Sequence, residues 1–248
     1  MPLLEVQHLS KVFGGLRAND DISFKVDEGE LVGLIGPNGA GKTTLFNCIA
    51  GLYPVTSGRI IFDGRDITPL KAHEVARLGL ARTFQVYVAS GDLTVLENVM
   101  VGCFMRTRSR REAQRRAEEI LSRFKLDPLA HSLLTELPVA AQKRVSMATA
   151  VGTSPKMLLL DEVAAGLTPS EIDEVMEMIR DIHYGMGITV MLIEHVMELV
   201  MKISHRVIVL DYGRKIAEGP PEEVARDPNV IKAYLGERYV REHPIGER

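Results

Sequence analysis

Eight consecutive residues, Gly36-Pro37-Asn38-Gly39-Ala40-Gly41-Lys42-Thr43, meet every fixed position of the pattern G-x-x-x-x-G-K-[ST], and Thr44 follows with a second hydroxyl. The chemistry open to such a stretch is the holding of a polyphosphate. A glycine-rich loop at a helix start points backbone N–H groups at anionic oxygens, Lys42 adds a mobile positive charge, and the Thr43 hydroxyl can complete a magnesium shell. A second constellation is Asp161-Glu162, directly after Leu158-Leu159-Leu160. Downstream of a phosphate loop, Asp161 can hold the magnesium ion through water, while Glu162 faces the γ-phosphate as the base for an attacking water. Glu194-His195 closes a third apolar run in the same way. Taken singly these are a Gly-rich turn, a solvated strand end and a structural histidine. Their combination points to a nucleotide site.

The elements that must position these groups read as an α/β fold. Residues 31–35 form a short apolar run typical of a buried parallel strand, and residues 43–50 read as a helix stopped by Gly51, which makes a strand-loop-helix. Residues 157–160 and 188–193 are further buried strands, so acidic and titratable groups gather at strand carboxyl ends, where open α/β sheets bind ligands. Ahead of the loop, residues 4–9 and 22–26 alternate like half-buried antiparallel strands, with Gly14-Gly15 and Asn19-Asp20-Asp21 supplying turns. Phe13, between them, has two readings: a core residue, which composition favours, or an exposed ring that stacks on a base. Residues 59–65 read as a strand and tight turn, and residues 73–80 as a helix closing on Gly79 or just beyond.

Thr94 with Glu97 forms a capping box that opens another helix. Residues 106–116 then hold six arginines against the single acid Glu112 and lead into a helical pattern through Ile120, Leu121 and Phe124, marking a separate helical subdomain. Those arginines form either a solvated helix face or a surface lying near anionic lipid. Residues 170–183 place Ile172, Val175, Met176 and Ile179 at helical spacing toward the core. A hairpin turns at Tyr212-Gly213, and a helical tail starts at Glu222 after Pro220-Pro221 and loses definition after Glu242.

At 248 residues and 46% hydrophobic, the chain can bury a full core. No apolar run reaches the roughly 18 residues a membrane span needs. No signal-peptide core is visible, and only Cys48 and Cys103 are present, both read as small buried hydrophobes in a reducing, cytoplasmic setting. A net charge of −3 with no tryptophan argues against a nucleic-acid surface.

The ordered set GPNGAGKTT at 36–44, FQ at 84–85, LLLDE at 158–162 and EH at 194–195 resembles the ATP-binding subunit of ABC transporters over nearly the entire chain. More narrowly, LSKVFGGLRANDDISF, FDGRDIT, ARLGLARTFQ, LTVLENVMVG and EGPPEEV look like the subunit of branched-chain (hydrophobic) amino-acid uptake systems. The resemblance implies an L-shaped phosphate-loop NTPase with a mixed-sheet core, an N-terminal antiparallel β subdomain and an inserted helical subdomain. The implied boundaries are 1–85 and 151–220 for the nucleotide-binding core, 86–150 for the helical subdomain and 221–248 for the tail. It implies Mg-ATP held by residues 36–44, with Phe13 on the adenine, Thr43, Gln85 and Asp161 at the magnesium, Gln85 and Glu162 at the attacking water, and His195 on the γ-phosphate as a switch. Implied partners are membrane-spanning permease subunits, a second ATPase subunit and an extracellular or periplasmic substrate-binding protein, with the chain peripheral on the cytoplasmic face of the membrane. A lipid or lipopolysaccharide exporter ATPase is the alternative, and a soluble non-transport ATPase of the family a more distant one.

One motif departs from the resemblance. The family's signature LSGGQ, which caps the ATP of the opposite subunit, falls here on Leu137-Pro138-Val139-Ala140-Ala141, followed by Gln142. Only the leucine matches. Pro138 has neither the hydroxyl nor an N–H, and Val139 and Ala140 carry side chains where backbone must approach. Val163 and Thr168 are lesser departures. The expectation is an unequal pair of sites, which favours a heterodimer with a related subunit over a homodimer.

Overall fold

The computed structural model describes residues 1–83 and 92–242, with side chains as far as Leu235. Gln85 lies outside the described residues. In chain order, strands β1 (Pro2–Phe13), β2 (Leu16–Asp27) and β3 (Leu31–Ile35) precede helix α1 (Lys42–Ile49), and β4 (Ser57–Phe62) and β5 (Arg65–Asp66) follow. Next come α2 (Ala72–Leu78), β6 (Leu80–Arg82), α3 (Val95–Cys103), α4 (Arg110–Arg123), α5 (Val139–Gly152), β7 (Met157–Asp161) and α6 (Pro169–Arg180). The chain finishes with β8 (Thr189–Ile193), α7 (Met197–Ile203), β9 (Arg206–Asp211), β10 (Arg214–Gly219), α8 (Pro221–Val224) and α9 (Pro228–Glu242). Contacts divide it into two units, Met1–Ala72 with Met191–Arg248, and His73–Val190.

In the first unit β2, β1, β4 and β5 form an antiparallel sheet in that order. Alternation works as expected: Leu4, Val6, Leu9, Ile22, Val26, Ile60 and Phe62 are buried on one face. The hairpin is longer than the sequence pattern indicates. Asn19-Asp20-Asp21 is no turn but lies inside β2, where Asp21 takes a left-handed φ of 55° and the pairing with β1 slips in register. That irregularity is what imitates a turn in the sequence, because a β-bulge tolerates the same Asn and Asp residues that turns favour. A mixed arrangement completes the unit: β3, buried at all five residues, runs parallel to β9, and β9 antiparallel to β10. Arg206 at the start of β9 ties this region together by donating to Glu30, Glu218 and the Lys25 carbonyl.

In the second unit β6 pairs parallel with β7, and helix α3 packs on α4 and α5. The Thr94–Glu97 capping box is present, each partner satisfying a backbone N–H of the other. Helix α2 stops at Leu78, and Leu80 begins β6 instead of ending the helix. Gly79, at φ 106°, makes the break, and a three-residue strand is too short to show a period of its own. The last of the four expected core positions of α6, Ile179, is fully buried, and the first, Ile172, only partly. Part of the basic stretch is engaged within the chain: Arg106 donates to the carbonyls of Arg77, Thr153 and Ser154, and Arg115 and Arg116 pair with Glu112. Those two arginines hold the Glu112 carboxyl down at about 2. Burial raises both cysteine thiols to about 11, as expected of small buried hydrophobes. No helix among the described residues is long and apolar enough to cross a membrane.

Candidate nucleotide site

The phosphate loop joins buried β3 to α1, so a rigid strand and a helix N-terminus hold it from both ends. Two glycines have no substitute here. Gly36 sits at φ 149°, and a Cβ built on it would lie 2.1 Å from the Leu210 carbonyl oxygen. Gly41, at φ 95°, is the left-handed cap of α1, and its Cβ would meet the Ala18 carbonyl oxygen at 2.3 Å. The loop is also gripped from outside. The buried Asn19 amide donates to the Gly41 carbonyl at 3.1 Å, and the Gly213 N–H of the β9–β10 turn donates to the Ala40 carbonyl at 3.1 Å. Lys42, 6% exposed, curls over the loop and donates to the carbonyls of Gly36 at 2.7 Å and Pro37 at 3.0 Å. An ammonium satisfied by loop carbonyls is preorganised over the turn that would wrap a phosphate.

An open cavity of about 860 Å³ adjoins Pro37, Asn38, Gly39 and Ala40, closed on its other sides by Tyr212 and by Lys232 of α9. Tyr234, also on α9, accepts the Gly36 N–H; burial raises its phenol pKa and that bond partly offsets the rise. Phe13 corrects the expectation that composition favours. It is 40% exposed at the end of β1, edge-on to Tyr53 at 5.5 Å, with the Lys11 ammonium 4.6 Å from its ring centre. It is therefore not a core residue. His195, exposed just after β8, belongs to the same unit.

The second unit carries Asp161 and Glu162. Asp161 ends β7 fully buried, its carboxylate accepting from Arg82 at 2.6 Å and its N–H donating to the Thr83 hydroxyl at 3.1 Å. Glu162 adopts a left-handed φ of 51°, a conformation that costs an L-residue about 1–3 kcal/mol and is retained at functional sites. Its carbonyl accepts from the Lys143 ammonium at 3.0 Å. Arg82, Lys143 and Asn19 escape sequence reasoning, since none belongs to a pattern of its own; Arg82 and Thr83 stand just ahead of the FQ pair, the one signal that could have drawn attention to them. Among the described residues no three His, Cys, Asp or Glu side chains gather as a metal cage. Magnesium requires none, because it is bound by one or two protein oxygens plus substrate phosphates. The buried carboxylate oxygens of Asp161 suit that hard cation.

The family model described as "ABC transporter" matches residues 19–165, which span the loop and the Asp161-Glu162 pair. The chain belongs to the ATP-binding cassette family of transporters. It is thus an ATPase. A second family model, "Branched-chain amino acid ATP-binding cassette transporter", matches residues 214–240. The cassette is 41% identical over 251 residues to the high-affinity branched-chain amino acid transport ATP-binding protein BraF of Pseudomonas aeruginosa, covering 95% of this chain and 98% of that one. It is 34% identical to the lipopolysaccharide export system ATP-binding protein LptB of Escherichia coli, covering 96% and 99%. Among solved structures, a nucleotide-free ATP-binding cassette from an ABC transporter superimposes with a TM-score of 0.87 at 31% identity, over 96% of this chain and all of that one.

Residues 137–141 run directly into α5. Pro138, at φ −56°, precedes α5 and offers no side-chain cap, α5 is a regular helix from Val139 onward, and Val139 is 58% exposed. Gln142 folds back to donate to the Leu137 carbonyl at 2.8 Å.

Proposed function

We propose that this cassette energises the uptake of branched-chain or other hydrophobic amino acids, working as a peripheral subunit on the cytoplasmic face of a permease. The observation that carries this reading is likeness to BraF over nearly the full length of both chains, together with a phosphate loop intact at every position. Residues 36–44 hold the triphosphate and Phe13 stacks on the adenine. Thr43, Asp161 and Gln85 serve a magnesium ion, which would neutralise the phosphate oxygens. Glu162 orients the attacking water, and His195 contacts the γ-phosphate, as phosphoryl transfer to water requires. In this reading residues 1–85 and 151–220 are the nucleotide-binding core, with the loop of Gln85 meeting the permease, 86–150 the helical subdomain, and 221–248 the tail. A substrate-binding protein outside the membrane completes the system.

The partner ATPase is a related chain with a complete signature, in a head-to-tail heterodimer. This follows from Pro138, Val139 and Ala140, which remove a hydroxyl, an N–H and close backbone approach from the segment that would cap the partner's ATP. Co-purification with permease subunits followed by uptake of labelled leucine, isoleucine and valine tests the assignment; transport of a lipid by the purified complex would replace it with the exporter reading. Cooperative hydrolysis at transporter-like rates by this chain alone would end the heterodimer reading.

A further inference from the structure

The Arg82–Asp161 contact goes beyond what a magnesium-binding aspartate requires. The two side chains are 6% and 0% exposed, and the guanidinium donates to one carboxylate oxygen, Oδ2, at 2.6 Å. The next residue grips the same acid from its backbone side. The Thr83 hydroxyl accepts the Asp161 N–H, while the Thr83 N–H donates to the Leu159 carbonyl at 2.9 Å. All of this is held by the parallel register of β6 on β7, in which Arg82 stands opposite Leu159. A carboxylate with no exposure to water takes its direction from the cation it faces. Arg82 supplies that cation, through a charge-assisted hydrogen bond to Oδ2.

We propose that Arg82 is a positioning residue and a built-in counter-cation for Asp161. It orients the carboxylate before magnesium arrives, and then competes with the metal for that negative charge. The inference rests on the magnesium role assigned to Asp161 above. Two cations facing one carboxylate oppose each other through a partly buried medium, so the gain in nucleotide affinity that magnesium brings is smaller with Arg82 present than without it. An ion pair serving stability alone would lower the melting temperature when broken and leave that gain unchanged.

The test is calorimetric titration of the purified full chain with ADP, in EDTA and in magnesium. In Arg82→Gln the ratio of the two dissociation constants should rise about tenfold over wild type, because the metal no longer shares the carboxylate. In Arg82→Lys, which retains a charge, it should stay within about twofold of wild type. An unchanged or smaller ratio in Arg82→Gln overturns the proposal. A wild-type ratio near one would instead remove the magnesium role of Asp161, and the proposal with it. If Arg82→Gln does not fold, the Arg82 side-chain N–H resonance of the wild-type ADP complex, identified by its loss in Arg82→Lys, should shift on addition of magnesium and fail to shift in Asp161→Asn. A resonance indifferent to magnesium in the wild type overturns the proposal equally.

Discussion

Two helix N-termini of this cassette, those of α1 and α5, are built in opposite ways. At α1 the approach runs through glycines whose neighbours leave no room for a Cβ, with Asn19 and the β9–β10 turn holding the loop and Lys42 folded over it. At α5 the approach runs through Pro138 into a regular helix with an ordinary apolar first turn. Both offer a helix dipole. The two ends differ in what surrounds that dipole: the first adds glycine backbone held from outside and a cation folded over it, and the first turn of the second adds neither. What α5 has in their place is Lys143, which reaches the Glu162 carbonyl and so braces the strained residue proposed as the base.

Substitutions can break this contrast or make it sharper. The largest effect is expected from Glu162→Gln, which should cut turnover by about 10²- to 10⁴-fold, the range for loss of a general base, while ATP binding and an ATP-bound dimer persist. Unchanged turnover would take Glu162 out of that role. The two lysines come next. Lys42→Ala should weaken ATP binding about 100-fold, an effect of roughly 2.7 kcal/mol, whereas Lys143→Ala should leave affinity for this chain's own nucleotide within about twofold. Equal losses in equilibrium binding would mean that the two helix starts are not distinct.

The glycines provide a third comparison. Gly41→Ala forces a left-handed residue against the Ala18 carbonyl, and the strain of about 1–3 kcal/mol should appear both as a lower melting temperature and as weaker nucleotide binding. Ala140→Gly, in an unstrained helical turn, should cost about 0.5–1 kcal/mol in thermal melts and nothing in binding. Finally, rebuilding residues 138–141 as Ser-Gly-Gly-Gln should raise the ATPase rate of the isolated chain by about tenfold, a modest share of what added oxyanion donors supply elsewhere. No gain in that assay would place the asymmetry somewhere other than the signature segment.

Continuous stretches carried most of what could be read without coordinates. Residues 36–43, the apolar run ending in Asp161-Glu162, and the Thr94–Glu97 cap are local patterns, and β3, α1, β7 and the cap of α3 fall where those patterns put them. Their physics is short-range: a strand buried on both faces is apolar throughout, a loop that wraps a phosphate needs glycine, and a helix start needs a cap. The bulge in β2 read as a turn and Phe13 read as core on composition, because residue type alone cannot report a register slip or an exposed strand end.

Tertiary structure alone decided which distant residues support those motifs. Asn19 reaches the loop across 22 residues, Arg82 reaches Asp161 across 79, and Lys143 reaches Glu162 across 19. An asparagine in a strand, an arginine at a strand end and a lysine in a helix are unremarkable by type and spacing. Each becomes specific only when sheet register or helix packing turns its side chain toward a buried carbonyl or carboxylate. There, in the absence of competing water, one hydrogen bond or one charge fixes the geometry of the site.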